Sequence, residues 1–165
     1  MPRYFEKISF EQFKKDIKDD LKLYNSYELP KRKTKYSAGY DFELIEDLVL
    51  KPNETKKISL GIKAKFNENE GLFLIVRSSL GFKYNLRMCN QVGLIDSDYY
   101  NNSSNEGHMF VKLQNHSEEE VKLKKEAGII QGIFFKYLTV DDEEKIENER
   151  KGGFGSTNKG DEKNE

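Results

Sequence analysis

The densest run of reactive side chains lies between Asn90 and Tyr100. Val92, Leu94 and Ile95 form a short apolar run beside Gly93, and it ends at Asp96, Ser97, Asp98 and Tyr99. Such a segment reads as a strand or hairpin arm that brings two carboxylates and an aromatic ring to one place. A carboxylate can take a proton from water. The amide of Asn90 offers both donors and an acceptor to a planar ligand. Gly93 permits a sharp turn or close packing. An acidic turn closing a hairpin fits the same residues. Strand alternation puts Asp96 and Asp98 on one face, so spacing does not separate their roles. His108, His116 and the single Cys89 stand in polar surroundings, which argues against a zinc site.

The elements that must position these residues begin with a helical pattern. Ser9 and Gln12 have capping-box spacing, and Phe10, Phe13, Ile17 and Leu21 recur at helical intervals. This stripe is expected to pack on the body of the protein. The pattern ends near Glu28-Leu29-Pro30, and the basic run 31–35 reads as a solvated loop.

Short β segments follow: 48–50, one half-buried strand over 58–66, a buried strand over 72–76, then 109–113, 121–123 and 129–137. Many short strands with frequent turns predict an all-β sandwich or barrel. Expected units are a helical extension over 1–28, a β domain over 29–140 and a tail over 141–165. The tail is acidic, then glycine-rich, then polar, a composition typical of disorder. Its glycines do not make a Walker loop, because no Lys-Ser/Thr follows them and no strand precedes them.

The chain has 165 residues and a formal net charge of -1, which gives no basic excess for nucleic acid. Mean hydropathy is low at -0.83, but 11 Phe and 9 Tyr supply large surfaces for a core. One cysteine excludes an internal disulfide and suits a reducing compartment. No apolar run is long enough to span a bilayer, and the N-terminus lacks a signal-like apolar segment. A cytoplasmic, soluble protein without membrane partners is expected.

Five segments, in order, resemble the trimeric dUTPases. They are Ala38-Gly39-Tyr40-Asp41-Phe42, Arg77-Ser78-Ser79-Leu80-Gly81, Gly93-Leu94-Ile95-Asp96-Ser97-Asp98-Tyr99, Ala127-Gly128-Ile129-Ile130-Gln131, and the run from Arg150 through Gly152, Gly153, Phe154 and Gly155 to Ser156-Thr157. The resemblance extends from about Leu29 to Asn158, and its third and fifth segments are the specific ones.

That resemblance implies a jelly-roll-like β barrel and hydrolysis of dUTP to dUMP and pyrophosphate with Mg²⁺. Asp96 would be the base that activates a water in line with the α-phosphate. Tyr99 would lie under the deoxyribose and exclude a 2′-hydroxyl. Asn90 would pair with uracil, with Gly93, Leu94 and Ile95 supplying backbone groups; Phe110, from its place shortly after the 100–106 insert that borders this site, is expected to line the sugar pocket. Arg77, Ser78 and Ser79 would grip the α- and β-phosphates, and Gln131 would contact a phosphate. Asp41 would sit near the metal, reached through water, since Mg²⁺ keeps its waters. The tail would close over the nucleotide, with Phe154 on uracil, Arg150 at the γ-phosphate, and Gly155, Ser156 and Thr157 at the outer phosphates. A homotrimer with shared sites is implied as well.

The chain departs from the family pattern at Ser79, usually Gly, and in an insert over 100–106. Arg77-Ser78-Ser79-Leu80 also resembles dCTP deaminases, which lack the Asp-Ser-Asp-Tyr segment. The competing readings are a nucleotide-responsive regulatory binding protein on the same fold and, as the lesser option, a dCTP deaminase.

Overall fold

The computed structural model describes residues 2–143. Within them eleven strands are β1 (Tyr4–Lys7), β2 (Tyr40–Glu43), β3 (Leu48–Leu50), β4 (Thr55–Ser59), β5 (Ile62–Lys65), β6 (Glu70–Val76), β7 (Leu86–Met88), β8 (Val92–Asp96), β9 (Phe110–Asn115), β10 (Val121–Leu123) and β11 (Gly128–Lys136). Three short helices are α1 (Phe10–Asp16), α2 (Leu21–Ser26) and α3 (Ser78–Tyr84). The all-β expectation holds. The strands, all paired antiparallel, form four open sheets rather than one closed barrel: β1-β5, β10-β3, β2-β11-β6-β8 and β4-β9-β7.

The single strand expected over 58–66 is two. Leu60, Ile62, Ala64 and Phe66 do alternate into the core, but Gly61 at φ 67 turns the chain between β4 and β5. A Cβ there would come within 2.9 Å of Tyr27 ring atoms. The corner sends β4 to pair with β9 and β5 to pair with β1. Strand 72–76 is also not uniformly buried: Leu72 and Leu74 face the core, while Phe73 and Ile75 are half-buried on the other face.

The expected N-terminal helix is likewise two helices, preceded by a strand. Asp20 caps the second, accepting the Leu23 N–H at 2.9 Å, which breaks the periodic stripe. Phe13 is fully buried, whereas Leu21 is 55% exposed. The capping box is half formed. Ser9 Oγ accepts the Gln12 N–H at 3.1 Å, but the return bond to Ser9 N comes at 3.0 Å from Glu106, in the insert. The stripe packs on the body: Phe13 stacks on Tyr27 at 5.8 Å between ring centroids, and Tyr27 donates to Gly61 O at 2.9 Å.

Helix α3 was not expected. Its Leu80 is the one buried residue in a glycine-containing stretch whose two aromatic residues, Phe82 and Tyr84, are exposed, and it is too short for a period to show. Residues 144–165 lie outside the described part, and with them the expectations for Arg150, Phe154, Gly155, Ser156 and Thr157 and for a tail that orders on ligand binding.

Candidate active site

The predicted site residues fall into three groups, set by strand register. The first is on the central sheet. Asp41, Gln131, Ile75 and Val92 lie side by side across β2, β11, β6 and β8. Gln131 Nε2 donates to Asp41 Oδ1 at 3.0 Å, and Arg77, just past β6, faces Asp41 Oδ2 at 3.4 Å. Gly128 lets the guanidinium lie close, since a Cβ there would come within 2.5 Å of Arg77 Nη1. Ser78 and Ser79 open α3 beside Arg77. The Asp41 side chain is only 2% exposed, whereas that of Arg77 is 32% exposed. The buried Asp41 carboxylate thus holds two donors, Gln131 and the part-exposed Arg77, side by side.

The second group surrounds the β7–β8 turn. Asn90 is exposed there, and Gln91 takes a left-handed φ of 60. Gly93 packs tightly: a Cβ would sit 3.2 Å from Leu74 Cβ. Beside the turn a cleft of about 500 Å³ is lined by Lys57, Cys89, Asn90, Phe110, Val111 and Lys112. Asn90 and Phe110 therefore line one cleft, together with two lysines, Lys57 and Lys112, that were not among the predicted site residues. Lys57 Nζ stands 3.9 Å from the Phe110 ring centroid, a cation–π distance.

The third group is at the far end of β8. Asp96 is its last residue, opposite Gly71 and partly buried. Ser97–Tyr99 is a turn of 3₁₀ helix, so strand alternation stops at Asp96 and does not place Asp98 on its face. Tyr99 is 6% exposed. Its hydroxyl donates to His108 O at 2.8 Å and accepts from Asn105 Nδ2 at 2.8 Å. The ring is therefore fixed from behind. Leu94 points outward, 56% exposed, and Ile95 is half-buried.

Sequence reasoning missed His108. It is fully buried rather than polar-exposed. Gly61 N donates to its Nε2 at 3.0 Å, and its Nδ1 lies 2.6 Å from Asp16 Oδ2. Burial pushes the imidazole below its usual pKa, opposed by Asp16. Its neighbours Met109 and Val111 are both buried, and Met109–Val111 was the one hint that the segment enters the core. The insert is also ordered by its own side chains: buried Asn102 donates to Tyr99 O and Asn105 Oδ1, each at 2.8 Å.

The antiparallel sheets are open ones, one carrying an arginine held by a buried carboxylate and another flanked by a cleft that Asn90 helps to line. A family model for dUTPase matches residues 25–158. The chain is 47% identical over 130 residues to the deoxyuridine 5′-triphosphate nucleotidohydrolase of Lactococcus lactis, covering 78% of this chain and 87% of that one. It is 37% identical over 135 residues to the Nautilia profundicola enzyme of the same name, covering 79% of this chain and 91% of that one. The dUTPase of Streptococcus mutans superposes with a TM-score of 0.68 at 34% identity, over 83% of this chain and 98% of that one. The dUTPase of Staphylococcus aureus phage phi11, solved with a structural Mg(II) ion, shares the fold with a TM-score of 0.64 at 17% identity, over 90% of this chain and 98% of that one. The chain belongs to the dUTPase family.

Among the described residues no helix is long and apolar enough to cross a membrane.

Proposed function

We propose that this protein hydrolyses dUTP to dUMP and pyrophosphate. The observation that carries the reading is the presence of both the Asp41–Arg77–Gln131 cluster and the Asn90–Phe110 cleft in a chain of this family. The cluster presents fixed donors to phosphate oxygens, and the cleft presents an amide and an aromatic wall to a base and sugar. Asp96 is the base that takes a proton from the attacking water. Tyr99, its hydroxyl anchored to His108 O, holds its ring against the deoxyribose and rejects a 2′-hydroxyl by bulk. Ser78 and Ser79 join Arg77 at the inner phosphates, and the tail residues Arg150, Phe154, Gly155, Ser156 and Thr157 complete the cover. Rigid donors aimed at a phosphoryl group are the main source of acceleration for this reaction.

Both oxygens of Asp41 already face donors, Gln131 and Arg77. The residues therefore fit Mg²⁺ carried by the triphosphate, with Asp41 reached through water rather than as a direct ligand. Bound that way, the ion would offset phosphate charge.

Strand register supports a shared site. Asp96 pairs with Gly71, whereas Arg77 leaves the opposite end of β6, about 20 Å away at the usual rise per residue. Both must act near the α-phosphate, so Arg77 of one copy and Asp96 of another would meet. The sheet face that would join them is apolar and open: Val92 is 46% and Leu94 56% exposed, and β8 is an edge strand. This agrees with the homotrimer that the family resemblance implies, and sedimentation equilibrium giving any other stoichiometry would break this part of the proposal.

The test of function is pyrophosphate release from dUTP, UTP, dCTP and dTTP. Release from dUTP alone is expected. Equal rates on UTP would remove the role given to Tyr99, and ammonia release from dCTP would favour the deaminase instead.

A further inference from the structure

We infer that Asp16 and His108 are positioning residues for the nucleoside end of the site, through which helix α1 sets a wall that it does not itself line. The inference rests on the reading above that Phe110 and Tyr99 border the bound nucleoside. His108 touches both walls. Its ring lies 4.0 Å from the Phe110 ring, centroid to centroid, and its carbonyl oxygen accepts the Tyr99 hydroxyl at 2.8 Å. Whatever fixes His108 therefore fixes Phe110 and Tyr99 together.

Two groups fix it. The Gly61 N–H donates to Nε2 at 3.0 Å, so the proton of the neutral ring sits on Nδ1. Nδ1 then donates to Asp16 Oδ2, 2.6 Å away. That same oxygen also accepts from Gln12 Nε2 at 2.7 Å, which holds the carboxylate against its own helix. A backbone donor on one nitrogen and a carboxylate on the other leave the ring one tautomer and one orientation. Asp16 is the last residue of α1, in a segment outside the matched family region. A contact that this chain adds at its N-terminus thus reaches the site through a single intermediate residue.

A merely structural ion pair would change melting temperature and the fraction of active protein, not the affinity for one end of the substrate. The experiment compares full-length wild type, Asp16→Ala and Asp16→Asn in dUTP turnover, in dUMP binding by calorimetry, and in inhibition by pyrophosphate. Asp16→Ala is expected to raise KM for dUTP and Kd for dUMP by roughly three- to ten-fold, the range for a residue coupled to a site through a neighbour. Its kcat and pyrophosphate inhibition should stay at wild-type values. Asp16→Asn keeps an oxygen that accepts the Nδ1–H and should restore both affinities.

Unchanged KM and Kd in folded Asp16→Ala would overturn the inference, as would pyrophosphate inhibition weakened as much as dUMP binding. Should the alanine variant fail to fold, NMR of the wild type decides: the His108 Nδ1–H resonance should move on saturation with dUMP and stay in place with pyrophosphate. A resonance unmoved by dUMP overturns the inference. Wild-type protein that neither hydrolyses dUTP nor binds dUMP would sink the functional reading itself; a wild type that does both beside an indistinguishable Asp16→Ala sinks only this one.

Discussion

The two regions proposed above as the nucleoside side and the phosphate side of the site are built on opposite terms. Around His108 the chain closes on itself: Asp16, Gly61, Tyr99 and Asn105 all bond to that one residue, and it has no exposed surface. Around Arg77 the chain stays open. The guanidinium is part-exposed, α3 carries Phe82 at 93% exposure, and the neighbouring edge strand shows Val92 and Leu94 to solvent. The closed side has its geometry before any ligand arrives, which lowers the cost of binding. An open side gets its geometry from something added. The proposed sharing of the site between copies would need both: one wall that is finished, and one that remains available for a neighbour.

The largest effect should come from a change that leaves both sides standing. Asp96→Asn keeps size and backbone but loses the base, so kcat should fall by about 10²- to 10⁴-fold, the usual contribution of a positioned base. A non-hydrolysable dUTP analogue should bind with wild-type affinity. Turnover retained within ten-fold would move the base elsewhere and leave the two sides without a common reaction.

Next in size is a cut into the closed side. Phe13, fully buried, rests on Tyr24 and Tyr27 at 5.3 and 5.8 Å. Phe13→Ala should lower stability by about 3–5 kcal/mol in urea unfolding, the cost of a large core cavity. Val92→Ala on the open edge should change monomer stability by under about 0.5 kcal/mol. Similar losses at the two positions would erase the contrast between a finished wall and an unfinished one.

How much of this could be read from residues depended on whether the signal was local. The apolar run ending at Asp96 announced β8, because three strand-forming residues, Val92, Leu94 and Ile95, sit around Gly93 between a turn and an acidic stop. Alternation over 58–66 correctly gave the inward residues but concealed the corner, since only the left-handed φ of Gly61 distinguishes one bent strand from two. Strand β1 was hidden for a different reason: its partner β5 lies nearly sixty residues on, and four residues carry too little pattern alone. Motif resemblance singled out Asp41, Arg77 and Gln131 separately, but that they meet is a matter of strand register, which the sequence does not show. His108 was misread because a lone histidine among polar residues reports nothing about its partner Asp16, which lies 92 positions away.

The open side can be probed with a smaller change. A Cβ at Gly128 would collide with the end of the Arg77 side chain and with no backbone atom. Gly128→Ala should therefore leave melting almost unchanged while swinging the guanidinium off Asp41. Misplacing a phosphate donor by about 1 Å is expected to reduce kcat/KM by roughly ten- to a hundred-fold. A variant that melts early yet keeps its kcat/KM would mean that Arg77 is held for packing, and that the open side is not a phosphate grip.

Acid supplies the mildest test, and it acts on the closed side first. Hydrogen bonds from Arg3 hold the Glu70 carboxyl at about 2, below its usual 4.5, and that pair fastens the segment leading into β1. Burial raises both Asp16 and Glu106 and is the largest single influence on each, but hydrogen bonds and nearby charge together leave them lowered: His108, Gln12 and Lys15 act on Asp16, and Ser9 and Lys63 act on Glu106. Burial also lowers His108 from 6.5. In all four cases the unfolded chain takes up protons before the folded one does, so each contribution to stability is present above the unfolded value and lost as pH falls through the folded one. Loss should begin below about pH 6.5 as His108 resists protonation, and continue below 4.5 toward 2 as the carboxylates do. Because three of the four groups pin residues 3–16, hydrogen exchange at pH 4 should quicken in α1 before it quickens in β6 or β11. If the central sheet loosened first or at the same pH, the N-terminal extension would be no more than a passenger on the fold, and the closed side of the site would owe its geometry to the sheet alone.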